Sequence, residues 1–187
     1  MNSIEILWNG WRNDYVRSDG SKSGGSVFTW LLESGEPDDT TFIVHRSSTC
    51  FAVLNIYPYS TGHLLVVPYR EVAAIDELNP EELIDLWSEV NDGVKALRAS
   101  HNPEGFNIGI NMGKTAGGSV AEHLHVHVVP RWTGDSNFMT AVAQARTIPE
   151  ALNVTYDRLR DQWPQPNNGI VGGHDQRHPL QPGRRCR

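Results

Sequence analysis

One apolar run, Glu122-His123-Leu124-His125-Val126-His127-Val128-Val129-Pro130, carries a histidine at every second position. Side chains alternate across a strand, so an extended backbone puts His123, His125 and His127 on one face and Leu124, Val126 and Val128 on the other. Same-face neighbours lie about 6.6 Å apart, so the row spans about two linked phosphates. The run therefore calls for a sheet with one face on a hydrophobic core and the other displaying groups that titrate near neutrality.

The rest of the chain supplies partners for such a strand. Phe42 to His45 and Cys50 to Tyr57 read as strands, and the turn-prone Pro58-Tyr59-Ser60-Thr61-Gly62 joins the second to His63-Leu64-Leu65-Val66-Val67-Pro68 as a hairpin. Phe106 to Met112 is a further strand, followed by the loop Gly113-Lys114-Thr115-Ala116-Gly117-Gly118-Ser119. The clearest helix runs over 80–99. Asn79 caps it, Pro80 suits its first position, and Glu82 completes a capping box. Leu83, Leu86, Trp87, Val90, Val94 and Leu97 recur at helical spacing and predict one buried stripe. A shorter helix is expected over 149–162. These elements make an α+β fold with a mainly antiparallel, five-stranded sheet, one long helix and a C-terminal helix.

The organisation expected is an N-terminal arm over 1–40, a folded domain over 41–163 and a disordered tail over 164–187. In the arm, Trp8, Trp11, Tyr15, Phe28 and Trp30 dock on the body, while Ser18 to Ser26 forms a Ser/Gly-rich flexible connector. The tail is dominated by Pro, Gly, Asn and Gln and ends in Arg184-Arg185-Cys186-Arg187, a composition unable to support a core.

At 187 residues the chain has room for one full domain. A net charge of −6 argues against nucleic-acid binding through a basic field, but leaves open a small anion held in a local pocket. Cys50 and Cys186 form no metal-binding pair motif, so a reducing cytoplasm is the expected setting. No secretory signal is visible, and no apolar stretch approaches the about 20 residues needed to span a membrane.

Three readings compete for the histidine row. It could be half-exposed surface on an edge strand, although histidine is not a favoured strand residue. It could bind a metal, since His-x-His on a strand can hold one zinc. Ligands at i, i+2 and i+4, however, lie too far apart to reach one ion at about 2 Å without bending the strand. Glu122, the nearby carboxylate, points to the opposite face. The third reading is covalent catalysis on phosphorus, in which a neutral imidazole attacks a phosphoanhydride and forms a phosphoramidate. His125 is best placed to attack, because both neighbours can flank the same phosphorus.

His-Leu-His-Val-His-Val-Val resembles the signature of the histidine triad (HIT) family. Asn55-Ile56-Tyr57-Pro58, Gly62 to Pro68 and Gly105 to Asn111 resemble the family's upstream strands, so the likeness covers residues 40–135. Within the family, Ala116-Gly117-Gly118-Ser119, His127 to Trp132 and Gly134 to Phe138 resemble the bacterial diadenosine tetraphosphate phosphorylases. Those enzymes split a dinucleoside polyphosphate with inorganic phosphate, releasing ADP and ATP. The resemblance implies a HIT-like fold and a nucleotidyl-histidine intermediate on His125, flanked by His123 and His127. It implies His63 behind the site, Asn55 at the nucleoside, and Asn111 on phosphate. It also implies that Gly117, Gly118 and Ser119 hold phosphate oxygens through backbone N–H groups and a hydroxyl.

Trp132, just past the triad, is a further candidate for substrate contact. No cofactor or protein-bound metal is expected, and any divalent cation is expected to arrive on the polyphosphate. The expected partners are an adenine nucleotide or dinucleoside polyphosphate, inorganic phosphate and further copies of the chain, as a homodimer or higher homo-oligomer. Two departures stand out. Ser119 occupies the place where many HIT hydrolases have Gln, leaving space that suits a phosphate acceptor, and the arm lacks the cysteines of a zinc site found in some relatives. A hydrolase releasing AMP and a non-catalytic purine-nucleotide binding protein are the alternatives.

Overall fold

The computed structural model describes residues 5–6, 25–118, 120–135, 145–146 and 149–165. A short parallel pair joins β1 (Glu5–Ile6) to β7 (Ala145–Arg146). The main sheet is built from β2 (Ile43–Arg46), β3 (Cys50–Leu54), β4 (Leu64–Pro68), β5 (Gly105–Ile110) and β6 (Val126–Arg131). Its spatial order is β2-β3-β4-β6-β5, and every neighbouring pair is antiparallel. The helices are α1 (Val27–Glu33), α2 (Asp38–Thr41), α3 (Pro80–His101) and α4 (Leu152–Asp161). The expected α+β architecture, with its five strands, long helix and C-terminal helix, is therefore borne out. Among the described residues no helix is long and apolar enough to cross a membrane.

The start of α3 follows its capping chemistry. Asn79 Oδ1 accepts the Glu82 N–H at 2.9 Å, and Glu82 Oε2 accepts the Asn79 N–H at 2.9 Å. Arg70 then clamps Glu82 from outside the helix, with Nη2 at 2.7 Å from Oε2. The buried stripe of α3 differs from the predicted one. Leu86, Val90, Ala96 and Leu97 are buried, together with Glu82, Glu89 and Gly93, whereas Trp87 is 44% exposed. Gly93 lies on the packed face because Leu64 approaches it closely: a Cβ there would come within 2.8 Å of nothing but the Leu64 side chain, at 2.7 Å. A helix seated this deep presents its small residues to the sheet and turns its indole outwards.

The two faces of the sheet carry different loads. On one, Ala52, Leu54, Leu64, Val66, Leu124, Val126 and Val128 pack with α3 and with Tyr156, Leu159 and Trp163. On the other, Ile43, Phe51, Val53, Leu65 and Val67 pack with Phe28 of α1. Leu65 pairs with His127 across β4 and β6, so the histidine row opens onto the α1 face. The segment predicted as connector ends in a helix cap instead: Ser26 caps α1, whose apolar residues Phe28, Leu31 and Leu32 recur at helical spacing directly after the Ser/Gly run.

Leu97→Ala is expected to cost about 2–5 kcal/mol of stability, and Trp87→Ala considerably less. Urea unfolding of the two variants checks this, and equal losses would restore the predicted stripe.

Candidate active site

Only the last histidine of the row lies in the sheet ladder, which begins at Val126. The extended strand predicted from His123 onwards stops short because the Leu124 N–H turns aside to the Val72 carbonyl, at 2.6 Å. That departure leaves the His123 carbonyl available to a side chain. His125 Nδ1 lies 2.9 Å from it. A carbonyl only accepts, so Nδ1 carries the proton and Nε2, on the opposite edge of the ring, holds a lone pair. His125 lines a largely apolar cavity of about 830 Å³, walled by Val27, Phe28, Trp30 and Leu31 of α1 and by Asn55.

His123 is fully buried, with both ring nitrogens engaged. Its Nε2 donates to the Pro68 carbonyl at 2.8 Å, and its Nδ1 lies 2.6 Å from Ser26 Oγ. Expected to flank the phosphorus, it lines neither that apolar cavity nor the polar cleft beside it. It holds the carbonyl to which His125 is bonded.

His127 faces the other way around a proton. His63 Nδ1 receives the Tyr59 backbone N–H at 3.0 Å and faces Asn55 Nδ2 at 3.3 Å. Two donors aimed at one nitrogen leave it unprotonated, so the His63 proton sits on Nε2. That atom lies 2.9 Å from His127 Nδ1, which accepts, and the His127 proton is thereby assigned to its own Nε2. Asn111 Nδ2 lies 3.4 Å from that nitrogen; turning the carboxamide so that its oxygen faces the ring satisfies the same tautomer. The rings of His125 and His127 stand 4.8 Å apart, edge to face. One thus presents a lone pair and its neighbour an N–H.

A second, polar cleft of about 410 Å³ adjoins the first at His127 and Tyr59, with Asn107, Asn111, Arg131 and Asp135 on its walls. Tyr59 stacks on His127 at 5.8 Å and 18°. Arg131 grips Asp135 through Nε at 2.6 Å and Nη2 at 2.8 Å, and donates to Asn107 Oδ1 at 2.6 Å, which fixes the wall of the cleft.

Of the predicted site residues, His63, Asn55, Asn111, His125 and His127 come together around these two cavities. Gly117 and Gly118 do not form the expected open cradle. Gly117 N–H bonds the Lys114 carbonyl at 3.1 Å and Gly118 N–H the Gly113 carbonyl at 3.3 Å, because the loop closes on itself as a tight turn. A Cβ at Gly118 would sit 2.8 Å from the Asn111 carbonyl, so glycine there serves the close approach of two backbones. Ser119 lies outside the described residues. Trp132 lines neither cavity; its backbone N–H bonds Asp135 Oδ2 at 3.1 Å. Ser26, Phe28, Tyr59 and Glu71 were missed as site residues. Helical spacing could have flagged Ser26 as a cap, whereas nothing local marks Glu71. Among the described residues no group of His, Cys, Asp and Glu is arranged to hold a metal ion.

Burial pushes all three triad imidazoles towards the neutral form. His127 is lowered to about 4, by desolvation first and by the neighbouring His125 second. His123 and His125 are lowered chiefly by desolvation, each partly offset by its bond to a backbone carbonyl.

Unfolded histidines titrate near 6.5, so on acidification the unfolded chain binds protons before these buried rings do. Their contribution is fully present above about pH 6.5 and is lost as the pH falls towards about 4, where His127 itself protonates. The melting temperature is expected to drop between about pH 7 and about pH 5, less steeply in His127→Gln. A flat wild-type profile would contradict the buried neutral row.

A HIT domain model matches residues 36–134. The chain is 38% identical over 167 residues to an AP-4-A phosphorylase of Mycobacterium tuberculosis, covering 86% of this chain and 85% of that protein. It is 36% identical over 93 residues to the asymmetrical bis(5'-nucleosyl)-tetraphosphatase of Schizosaccharomyces pombe, covering 50% of each. Among solved structures, a zinc-bound histidine triad family protein from Mycobacterium smegmatis superposes with a TM-score of 0.60 at 28% identity. That superposition covers 74% of this chain and 92% of the other.

Proposed function

Because the chain belongs to the HIT domain family, whose model spans residues 36–134, we propose that it cleaves dinucleoside polyphosphates by nucleotidyl transfer through His125. The observation that carries the reading is the pair of opposite tautomers. His125 holds its Nε2 lone pair beside the apolar cavity, while His127 next to it holds an N–H.

The nucleoside occupies the apolar cavity and its α-phosphate lies against both rings. His125 Nε2 attacks the α-phosphorus, and the bond from that phosphorus to the bridging oxygen breaks. The outgoing nucleotide leaves as its anion, its developing charge taken up by a hydrogen bond from the His127 Nε2–H. As His125 gains the phosphoryl group its ring becomes cationic, and the Nδ1–H bond to the His123 carbonyl strengthens accordingly. Inorganic phosphate then attacks the same phosphorus, the bond from that phosphorus to His125 Nε2 breaks, and neutral His125 regains its lone pair. For diadenosine tetraphosphate the products are ATP from the first step and ADP from the second. Water in place of phosphate gives AMP. The extent of the match to the mycobacterial phosphorylase supports phosphate as the acceptor.

This role needs no metal held by the protein; a divalent cation, where one takes part, arrives on the polyphosphate. We place the reaction in the cytoplasm, a setting suited to the unpaired buried thiol of Cys50. We also read β5 as the seat of a second copy, since this edge strand leaves Ile108 44% and the following Met112 47% exposed.

Incubating the protein with diadenosine tetraphosphate tests the reading. ADP and ATP formed only with phosphate present support it, ATP and AMP without phosphate make the protein a hydrolase, and no turnover with intact binding makes it a nucleotide-binding module. His125→Ala is expected to lower kcat by about 10³-fold or more and to abolish adenylyl label on the protein. Sedimentation should show a dimer or larger assembly that Ile108→Lys weakens.

A further inference from the structure

The histidine row leans on the segment that the sequence marks as a connector. We propose that Ser26 is a positioning residue for nucleotidyl transfer: its hydroxyl, donated to His123 Nδ1, holds the His123 ring against the Pro68 carbonyl and, through the His123 carbonyl, sets the aim of the His125 lone pair. The inference rests on the assignment of His125 as the nucleophile.

Ser26 is buried, and its Oγ lies 2.6 Å from His123 Nδ1. The far nitrogen of that ring faces the Pro68 carbonyl at 2.8 Å and must be the protonated one, because a carbonyl offers no hydrogen. In the neutral ring Nδ1 then accepts, and the Ser26 hydroxyl is the donor. The oxygen lone pairs meanwhile receive the Thr29 N–H at 3.2 Å, an amide in the first turn of α1. One hydroxyl therefore caps a helix and orients an imidazole.

Glu71 fixes that hydroxyl in place. Its Oε2 accepts the Ser26 N–H at 3.1 Å and the Thr29 hydroxyl at 2.6 Å, which ties the first turn of α1 to the segment leaving β4. With its hydrogen spent on Glu71, Thr29 Oγ1 could only accept from Ser26, and at 3.3 Å it is a poorer acceptor for the Ser26 proton than His123 Nδ1 at 2.6 Å. Gly25 allows the turn to close: a Cβ there would sit 3.0 Å from Thr29 Cγ2 and 3.3 Å from Glu71 Oε2. In the same turn, Phe28 packs on His123 at 5.4 Å and on His125 at 5.2 Å. The helix that walls the apolar cavity thus also aims the nucleophile beside it.

Capping alone would accept Asp or Gly at this position, but neither can donate to Nδ1. Ser26→Gly and Ser26→Thr separate the two roles. Ser26→Gly is expected to keep the circular dichroism and melting temperature near wild type. Its kcat with diadenosine tetraphosphate and phosphate should fall by about tenfold or more, the loss typical of partners that orient a reacting group. KM should stay within about twofold, and Ser26→Thr should restore most of the rate.

Nitrogen-15 imidazole spectra of the unliganded protein give a readout independent of turnover. Wild-type His123 should be protonated on Nε2 and His125 on Nδ1, and Ser26→Gly should move the His123 Nδ1 resonance to that of an acceptor that has lost its donor. An unchanged kcat in Ser26→Gly, an equal loss in Ser26→Thr, or a wild-type His123 protonated on Nδ1 overturns the proposal. Absence of wild-type turnover sinks the nucleotidyl-transfer reading alone, and the spectra then decide for or against Ser26. If Ser26→Gly fails to fold, the wild-type spectrum still decides.

Discussion

Two backbone carbonyls, those of Pro68 and His123, each take an imidazole N–H, and a carbonyl can only accept. These two bonds assign the protons of His123 and His125, and the nucleophilic lone pair of the proposed reaction follows from them. Both depend on a local failure of the ladder. Where β6 has not yet begun, the His123 carbonyl is not paired to a neighbouring strand and is free for the side chain two residues on. A row of three histidines in full strand register would give one repeated environment. The broken register gives three different ones.

Burial does the complementary work. Imidazolium is costly to hold away from water, so the enclosed rings stay neutral and each nitrogen has to be either donor or acceptor. The chain from the Tyr59 N–H through His63 to His127 then reads in one direction only. The apolar layer that Leu124, Val126 and Val128 build with α3 on the far face of the sheet keeps this arrangement stiff. Phe28 and the wall of α1 close it from the near face.

Much of this was legible in the chain itself. The alternating run, the Asn79-Pro80-Glu82 helix start and the hairpin around Gly62 are signals carried by short-range sterics and hydrogen bonding, which the fold leaves intact. Helical spacing alone places Trp87 on the buried stripe of α3, whereas the packed face is rotated away from it. The depth at which α3 sits, set by the close approach of Leu64 to Gly93, rotates the buried face away from the indole. The Gly117-Gly118 loop shows a related limit of local signals. Composition marks glycines that permit a cradle, but whether their N–H groups are free depends on how the turn closes, and here the loop uses them itself.

By itself the sequence determined the strand-and-helix order, the face on which the histidines fall and the family likeness, because alternation, capping and motif spacing are properties of neighbouring residues. Only the tertiary structure decided what each histidine does. A histidine has two ring nitrogens, and which one holds the proton is settled by partners as distant in the chain as Ser26, Tyr59, His63 and Pro68. Those partners meet the row only when α1, β4 and the β3–β4 turn have packed around it, since no local rule fixes the approach of groups that far apart.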